Sequence, residues 1–488
     1  MKHTVFLLND SFPPMIDGVA NTVVNYGRQI EAHHGHAVVL TPRVPGITEE
    51  SYRENYPFPV IPYDDLPIDT RGMIGYMAGN PFSLGADMLR RLKAEAEKGG
   101  GAVLAHSHCP VASSILAREM RGALGGIPLV LTYHTKFDID IKKAIRGKLL
   151  QDGAIRALAN NILAFDEVWA VSEGAKQNLL ELVDMAGQDA SELDRDDRLI
   201  VMPNGVDVPR GRVSDAAIAE AVRGYDLPED VPMLLFVGRM MWYKGLDVIL
   251  DALALLRQRG AAFRMVFVGG GGDEAEVRER AAALGLTDVC FFTGSISDRE
   301  TIRAWYSRAD AFLFPSTYDT NGLVVREAAA SATATVMVAG SCAAEGVTDG
   351  RNGFLIEQTA ESLAAKLTAI CADRAVMRRV GENAQRELYL SWEDAVAHAN
   401  ERYGFVIDKY QRGGYPTHDR PTDDLLRWRG EMAKAFSGIR DVGSSVLDTL
   451  EESGERLKAN VRSKAQPLLD GIESAKEQME IISDKFLQ

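Results

Sequence analysis

The stretch that decides the fold is FLFPSTYDTNGLVVREAAA, residues 312–330. It begins within the apolar run Ala311–Phe314, which predicts a buried strand that Pro315 ends. After a polar loop, Gly322 precedes the run Leu323–Ala330, whose composition is typical of a helix. We therefore expect a strand, a loop and the start of a helix.

This arrangement predicts a ligand site. In an open parallel sheet, ligands bind beside the carboxyl ends of the strands, and a helix that begins there presents free N–H groups to an anion. Two carboxylates flank the predicted turn, because Asp319 precedes the helix and Glu327 follows eight residues later in its second turn. Such a pair can reach opposite ends of one extended polar ligand, and a nucleotide-sugar has that shape.

The remainder of the chain alternates β-rich runs with helical runs in two series. The predicted strands are residues 4–8, 37–41, 103–106, 129–133, 167–171 and 199–203 in the first series, and 233–237, 265–268, 289–292, 311–314, 335–338 and 353–356 in the second. This alternation predicts an α/β fold with parallel, doubly wound sheets. We expect two Rossmann-like domains, residues 1–208 and 209–395, that face each other across a cleft.

Bulk composition excludes several classes of protein. The chain has 488 residues and a formal net charge of −15, which argues against general nucleic-acid binding. Its four cysteines are scattered with no C-x-x-C pair, which argues for reduced thiols and against a zinc cluster. The N-terminus lacks the long apolar core of a signal peptide, and no apolar run is long enough to cross a bilayer. These features predict a cytoplasmic protein.

Two cations follow the first strand of the second series. Arg239 comes directly after Gly238 at the strand end, and Lys244 follows five residues later, just before Gly245. An arginine supplies a bidentate fork and a lysine supplies a point charge, so the two can converge on a diphosphate. We expect both side chains to bind the diphosphate of such a ligand.

Histidines follow two strands of the first series. His106 and His108 lie at the end of one strand, and His134 lies just after the end of the next. A cleft-facing imidazole could bind sugar hydroxyls or stabilise charge at a reaction centre, although a buried structural role fits each ring as well. Since no third ligand is spaced nearby, no metal site is predicted. Asp138-Ile139-Asp140 has the form of a metal motif, but we interpret it as a solvated turn.

Three further segments carry local structural predictions. Ser172 is expected to cap the helix that follows it. Asn204-Gly205 predicts a turn with positive φ at the exit from the first domain. Four glycines at residues 269–272 follow a strand but lack the lysine and hydroxyl of a phosphate loop, so we interpret them as structural.

Together these motifs resemble those of the retaining glycosyltransferases of family four, which have the two-domain GT-B architecture. The resemblance covers about residues 4–410 and rests on the acid pair, the Gly-Arg and Lys-Gly motif and the segment Met-Pro-Asn-Gly-Val-Asp, residues 202–207. It implies a nucleoside diphosphate sugar, UDP-hexose or GDP-hexose, as donor substrate, with no cofactor and no metal. It also implies a helix at residues 396–412 that crosses back onto the N-terminal domain.

The resemblance assigns roles residue by residue. Asp319 would hold sugar hydroxyls, Glu327 would hold the ribose, and His134 would face the reacting side of the sugar. The backbone of Gly322, with Leu323 and Val324, would hold the diphosphate together with Arg239 and Lys244. Gly18, in the loop after the first strand, would let the backbone approach the donor phosphate and the acceptor.

This chain departs from the family pattern in two places. Asp319 is one methylene shorter than the usual glutamate, which affects the identity of the donor sugar more than the type of reaction. Residues 331–336, Ser-Ala-Thr-Ala-Thr-Val, lack the glycine and proline that the family places between this helix and the next strand. The turn must therefore close without them.

Three functions remain open from the sequence. The motifs look most like those of the diacylglycerol glucosyltransferase and phosphatidylinositol mannosyltransferase branch, which implies a glycerolipid acceptor at the inner face of the membrane. A transferase with a soluble acceptor is the alternative among enzymes. A catalytically silent partner that keeps the fold is the alternative from another class.

Two segments bear on membrane contact. IKKAIRGKLL, residues 141–150, is a basic and partly apolar run that could touch anionic lipid or form a solvated helix face. Residues 420–488 carry apolar residues at helical spacing and lie outside the family pattern. We expect this tail to form amphipathic helices that pack on the body, self-associate or contact a membrane.

Overall fold

The computed structural model describes residues 2–15, 18–66, 78–145 and 147–416, together with Leu426. The predictions for the tail at residues 420–488 otherwise fall outside the described residues.

The first sheet has seven parallel strands in the order β3-β2-β1-β4-β5-β6-β7. Their bounds are β1 His3–Leu8, β2 Gly35–Pro42, β3 Val60–Tyr63, β4 Ala102–Ser107, β5 Leu129–Tyr133, β6 Glu167–Ala170 and β7 Leu199–Val201. Strands of this kind are almost continuously apolar because helices cover both faces of the sheet. The order reverses at β1, so the carboxyl ends of β1 and β4 lie at a topological switch point, where ligands collect.

The second sheet has six parallel strands in the order β10-β9-β8-β11-β12-β13. Their bounds are β8 Met233–Val237, β9 Arg264–Val268, β10 Cys290–Gly294, β11 Ala311–Phe314, β12 Ala334–Val338 and β13 Phe354–Ile356. Here the order reverses between β8 and β11, which brings the loop after β8 beside the loop after β11. The predicted α/β fold with two doubly wound parallel sheets is confirmed.

Helices lie on both faces of each sheet, and separate apolar clusters fill the layers between them. The described helices are α1 Gly18–Gln29, α2 Glu49–Asn55, α3 Ala86–Gly99, α4 Ala112–Ala123, α5 Phe137–Ala144, α6 Lys148–Leu163, α7 Glu173–Met185, α8 Ser191–Asp194, α9 Asp215–Ala221, α10 Leu246–Gln258, α11 Glu274–Ala283, α12 Arg299–Arg308, α13 Leu323–Ala330, α14 Ala360–Cys371, α15 Arg374–Glu387 and α16 Trp392–Gln411. Short single-turn helical segments lie at Ile30–His34, Arg195–Asp197, Trp242–Lys244 and Cys342–Ala344.

The edge strand β3 was not predicted from the sequence. It is four residues long, contains Pro62 and directly follows Pro59, so its run of β-forming residues is too broken to stand out. Pro62 is tolerated because β3 pairs only with β2, and an edge strand can lack one ladder N–H.

The last described helix, α16, packs on the first sheet rather than the second. Arg402 holds the fully buried carboxylate of Glu167 with two hydrogen bonds, of 2.7 and 2.8 Å. The Tyr403 hydroxyl lies 2.6 Å from Nδ1 of His106 at the end of β4. Because a buried carboxylate must be paired, the arginine fixes where this helix crosses the N-terminal domain.

The predicted turn at Asn204-Gly205 is wrong. Gly205 is not among the residues with positive φ, and Val206 pairs with Ser391 in an isolated parallel bridge, donating its N–H to the carbonyl of Leu390 at 2.9 Å. Glycine is required for another reason: a Cβ at position 205 would lie 2.5 Å from the carbonyl oxygen of Ser391. Close approach of two backbones, rather than turn geometry, explains this glycine.

The turn that lacks the family glycine closes with a strained alanine. Ala332 has φ 57°, in the left-handed region. Its N–H donates a hydrogen bond to the carbonyl of Ala329, and the N–H of Thr333 donates one to the carbonyl of Ala328, both at 3.0 Å. This is the Schellman pattern, which normally places glycine at the left-handed position.

Replacing that alanine with glycine should stabilise the protein. A left-handed conformation costs an L-residue roughly 1–2 kcal/mol, which a glycine would not incur. Part of this gain is cancelled because glycine has greater conformational freedom in the unfolded chain. We expect Ala332→Gly to raise the free energy of unfolding by about 0.5–1 kcal/mol in urea titrations. The control is Ala282→Gly, an exposed position inside α11, which should lower it by about the same amount. A loss of stability in Ala332→Gly would contradict this account.

Candidate functional site

Hydrogen bonds from the loop after β11 join the second domain to the strand ends of the first. The Thr320 hydroxyl donates to the backbone carbonyl of His134 at 2.8 Å, and the Ser172 hydroxyl donates to the backbone carbonyl of Thr320 at 2.6 Å. His134 follows β5 and Ser172 lies just beyond β6. The carboxyl ends of both sheets therefore face each other across one cleft.

Glu345 makes a second connection between the domains. Its carboxylate accepts hydrogen bonds from the backbone N–H groups of Glu173 and Gly174, both at 2.7 Å, at the start of α7. The Ser172 hydroxyl accepts from the N–H of Ala175 at 3.0 Å, so the predicted N-cap is confirmed. A carboxylate at a helix N-terminus is favourable because it meets unsatisfied N–H groups and the positive end of the helix dipole.

A cavity of about 320 Å³ lies at this junction. Its described lining comes from both domains and consists of Thr135, Lys136, Arg239, Tyr243, Lys244, Tyr318, Asp319 and Thr320. Three of the predicted site residues, Arg239, Lys244 and Asp319, thus share one cavity.

Lys244 and Asp319 form an ion pair inside the cavity. The Lys244 Nζ atom lies 2.7 and 2.9 Å from the two carboxylate oxygens of Asp319, and the Ser316 hydroxyl donates to one of these oxygens at 2.7 Å. Both side chains of the pair are mostly buried, at 14% and 23% exposed. The short side chain of Asp319 is therefore held between the lysine and the serine.

Close backbone packing positions Arg239. A Cβ at Gly269 would lie 2.0 Å from the carbonyl oxygen of Gly238, and a Cβ at Gly271 would lie 2.4 Å from that of Met240. Only glycine fits there, so the glycine turn is a support for the loop that carries Arg239. The Arg239 guanidinium is exposed and donates to the Tyr243 hydroxyl at 3.2 Å.

Gly322 starts α13 in the left-handed conformation, with φ 58°. A Cβ there would lie 2.9 Å from the Cα of Ala343, so glycine is required both by its φ and by this contact. Leu323 and Val324 follow as the first residues of the helix, where N–H groups lack intrahelical partners. Gly322 lines a separate small cavity, of about 50 Å³, that includes Glu345.

Glu327 faces a different environment from Asp319. Its carboxylate lies 3.4 Å from Nη1 of Arg299 and accepts from the Tyr306 hydroxyl at 3.4 Å. Glu327 is not in the described lining of either cavity. Burial raises the pKa of its carboxyl above the ordinary value, and the nearby guanidinium of Arg299 opposes that increase.

His106 and His108 pack behind the cleft, and His134 contacts His108 from the end of β5. His134 is 6% exposed, and its Nε2 lies 3.0 Å from Nδ1 of His108. Nε2 of His106 lies 2.7 Å from the Thr132 hydroxyl. Burial lowers the pKa of His106 and His108 well below the usual range, which keeps both rings neutral at pH 7. His106 is thus part of a buried polar network, whereas His134 follows β5 directly at the cleft.

Gly18 is the first residue of α1, beyond the carboxyl end of β1. Its carbonyl accepts from the Thr22 hydroxyl at 3.0 Å, and a Cβ at this position would meet no atom within 4 Å. The glycine therefore leaves open space in front of the helix. Within the described part of the chain, no cluster of three or more His, Cys, Asp or Glu side chains could hold a metal ion.

Sequence reasoning missed three residues of the cleft as candidates for function. Thr320 and Glu345 join the domains, and Lys136 lines the cavity opposite Arg239. Glu345 carries no local signal, since its partners lie more than 170 residues away. For Lys136 the sequence gives no signal other than its position two residues after His134.

Two family models match adjacent parts of the chain. Residues 16–210 match the model described as Glycosyltransferase Family 4, and residues 218–387 match the model described as Glycosyl transferases group 1. The boundary between the two matches lies in the segment that connects the two sheets.

Curated relatives include proteins named D-inositol 3-phosphate glycosyltransferase. The one from Thermomonospora curvata is 29% identical over 297 residues, which is 57% of this chain and 66% of that protein. The one from Nocardia farcinica is 31% identical over 268 residues, which is 52% of this chain and 56% of that protein. In both alignments the chain spans somewhat less than two thirds of the relative's length.

Solved structures share the architecture over most of the chain. The structure of HepE from Anabaena in complex with UDP has a TM-score of 0.62 at 19% identity, and covers 84% of this chain and 100% of that one. Sucrose-phosphate synthase from Thermosynechococcus elongatus has a TM-score of 0.61 at 22% identity, with 83% and 100% covered. At these identities the likeness shows the fold alone, and the predicted GT-B fold is confirmed.

The raised pKa of Glu327 predicts a dependence of stability on pH. The pKa of Glu327 is higher in the folded protein than its value of about 4.5 in the unfolded chain. The protonated carboxyl therefore contributes its full stabilisation at pH values below about 4.5, and this contribution is lost as the pH rises through the folded pKa. We expect Glu327→Gln to melt at a higher temperature than the wild type at pH 8, with the difference shrinking toward pH 5. The control is Glu279→Gln, an exposed position on α11. A difference that does not change with pH would contradict this assignment.

Proposed function

We propose that this chain, a GT-B fold whose two halves match glycosyltransferase family models, transfers a hexose from a nucleoside diphosphate sugar to a hydroxyl acceptor. The main observation that supports the proposal is the cavity between the domains, which is lined by Arg239, Lys244 and Asp319. Cations for a diphosphate and a carboxylate for sugar hydroxyls lie side by side at the carboxyl ends of β8 and β11. UDP-hexose and GDP-hexose are the donors that this chemistry fits.

The two cations would act on the leaving group. When the bond between the anomeric carbon and the phosphate oxygen breaks, the departing diphosphate gains negative charge, and fixed cations stabilise it without a metal. Arg239 offers a planar fork of donors and Lys244 offers a point charge. The first N–H groups of α13, at Leu323 and Val324, would add to this stabilisation, and Gly18 would let the backbone at the start of α1 approach the donor phosphate.

The carboxylates would orient the donor. Asp319, already held by Lys244 and Ser316, would accept hydrogen bonds from sugar hydroxyls beside the diphosphate. Glu327, in the second turn of α13, would accept hydrogen bonds from the ribose. His134, at the end of β5, would face the reacting side of the sugar.

We propose that the transfer retains the anomeric configuration by attack from the front face. Asp319 is the only carboxylate among the described residues of the cavity, and its pairing with Lys244 makes it a poor nucleophile. The acceptor oxygen would bond to the anomeric carbon on the side that the diphosphate leaves. Its proton would pass to a phosphate oxygen of the leaving group, so no protein base is required.

The donor half of the proposal predicts turnover that depends on Arg239. The wild type should release nucleoside diphosphate from UDP-glucose or GDP-mannose, and Arg239→Ala should lower kcat about 100-fold or more through lost charge stabilisation. Arg259→Ala, at an exposed arginine just beyond the end of α10, is the matched control. No turnover with any donor would instead favour the catalytically silent partner.

For the acceptor we propose a glycerolipid at the inner face of a membrane, as in the diacylglycerol glucosyltransferase and phosphatidylinositol mannosyltransferase branch. The supporting observation is a membrane patch of Lys142, Lys148, Leu149 and Leu150. Leu149 is 84% exposed and Leu150 is 40% exposed, beside two exposed lysines. Exposed leucines next to lysines are typical of surfaces that dip into anionic lipid.

A soluble acceptor is the alternative. It is favoured by the names of the curated relatives, which specify D-inositol 3-phosphate as their substrate. In the described part of the chain no helix is long and apolar enough to span a bilayer.

Vesicle binding separates these acceptors. The full chain should float with vesicles that contain phosphatidylglycerol, and the double variant Leu149→Ser, Leu150→Ser should bind them about tenfold more weakly because apolar burial is lost. Met185→Ser, at an exposed apolar residue outside the patch, should bind as the wild type does. Equal flotation of all three proteins would contradict membrane docking through this patch, and no flotation of any of them would favour a soluble acceptor.

A further inference from the structure

The wall of the cavity that the N-terminal domain contributes contains Thr135 and Lys136, which follow β5. The Thr320 hydroxyl binds the backbone carbonyl of the preceding residue, His134, at 2.8 Å. This contact fixes the start of the wall against the loop that carries Asp319. Lys136 is therefore presented to the same space as Arg239 and Lys244, but from the opposite domain.

The charges of this cavity are unbalanced. Three cations, Lys136, Arg239 and Lys244, share it with a single carboxylate, Asp319, so the described lining has two more positive than negative charges. The carboxylate is committed to Lys244 at 2.7 Å. Among the described residues neither Lys136 nor Arg239 has a carboxylate within ion-pairing distance. The two unpaired cations thus come from opposite domains.

A hydroxyl beside Lys136 also lacks a partner. Oγ1 of Thr135 is buried and makes no hydrogen bond with any described residue. A buried hydroxyl without an acceptor is unfavourable, so such groups usually meet a ligand or a bound molecule. A phosphate oxygen in the cavity would accept a hydrogen bond from this hydroxyl. Thr135 and Lys136 together offer a hydroxyl and an ammonium group, both of which suit a phosphate.

We infer that Lys136 is a further catalytic residue, which binds the diphosphate of the donor from the N-terminal domain while Arg239 and Lys244 bind it from the C-terminal domain. The inference rests on the proposed function. Each phosphate of a nucleoside diphosphate sugar carries a negative charge, which matches the two cations that Asp319 leaves unpaired. The diphosphate then bridges the cleft and couples closure of the domains to binding of the donor.

This role differs from binding the acceptor. A cation on the leaving group stabilises charge that grows as the glycosidic bond to phosphate breaks, so its loss lowers kcat as well as affinity for the diphosphate. A cation that only binds an acidic acceptor would change the KM for the acceptor and leave binding of the nucleoside diphosphate unchanged.

Calorimetric titration tests the inference. UDP, GDP, uridine and guanosine are each titrated into the wild type and into three variants, Lys136→Gln, Lys136→Arg and Lys93→Gln. We expect Lys136→Gln to bind the preferred diphosphate about tenfold or more weakly, with little change for the nucleoside, because a charge-assisted hydrogen bond is lost. Lys136→Arg should retain most of the affinity. Lys93→Gln removes an exposed charge on α3 and should bind as the wild type does.

Donor turnover supplies the second measurement, and the melting temperature shows that each variant is folded. Lys136→Gln should lower kcat with the donor at least tenfold, and Lys136→Arg should restore part of it. Unchanged diphosphate affinity and kcat in Lys136→Gln, or a change confined to the KM for the acceptor, would overturn the role of Lys136. A wild type that binds neither UDP nor GDP would overturn the proposed function itself.

Discussion

The site depends on how one threonine holds the two domains together. Thr320 donates from its hydroxyl to the backbone of His134 and accepts at its carbonyl from Ser172, and it directly follows Asp319 in the loop after β11. Because these bonds place the loop against the ends of β5 and β6, the cavity can be lined from both sides. Glu345 reinforces the junction at the start of α7, where a carboxylate from one domain meets helix N–H groups of the other.

Glycines support this geometry where backbones must nearly touch. Gly269 and Gly271 pack against the loop of Arg239, and Gly322 takes the left-handed turn that starts α13 against Ala343. At Ala332 the chain has no glycine, yet the alanine adopts the left-handed conformation and the helix cap still forms. Backbone strain is therefore present after the C-terminus of α13, at Ala332, whereas glycine prevents it at the N-terminus, which faces the cleft.

The sequence predicts the local elements well and the long-range contacts poorly. Buried parallel strands are nearly continuous apolar runs, so twelve of the thirteen strands in the described residues were predicted, and the one that was missed, β3, is a short edge strand with a proline. The cations and Asp319 could be placed at strand ends because topology brings those ends together. The ion pair of Lys244 with Asp319, the contact of Glu345 with α7 and the presence of Lys136 in the cavity depend on how the domains meet, which local patterns do not encode.

The central claim is that a nucleoside diphosphate binds between the domains and touches both. Amide hydrogen exchange with and without UDP or GDP tests this directly. The account predicts that ligand slows exchange together in two segments, residues 134–139 from the first domain and residues 316–325 from the second. Slowing confined to one domain, or found only outside the cleft, would contradict it.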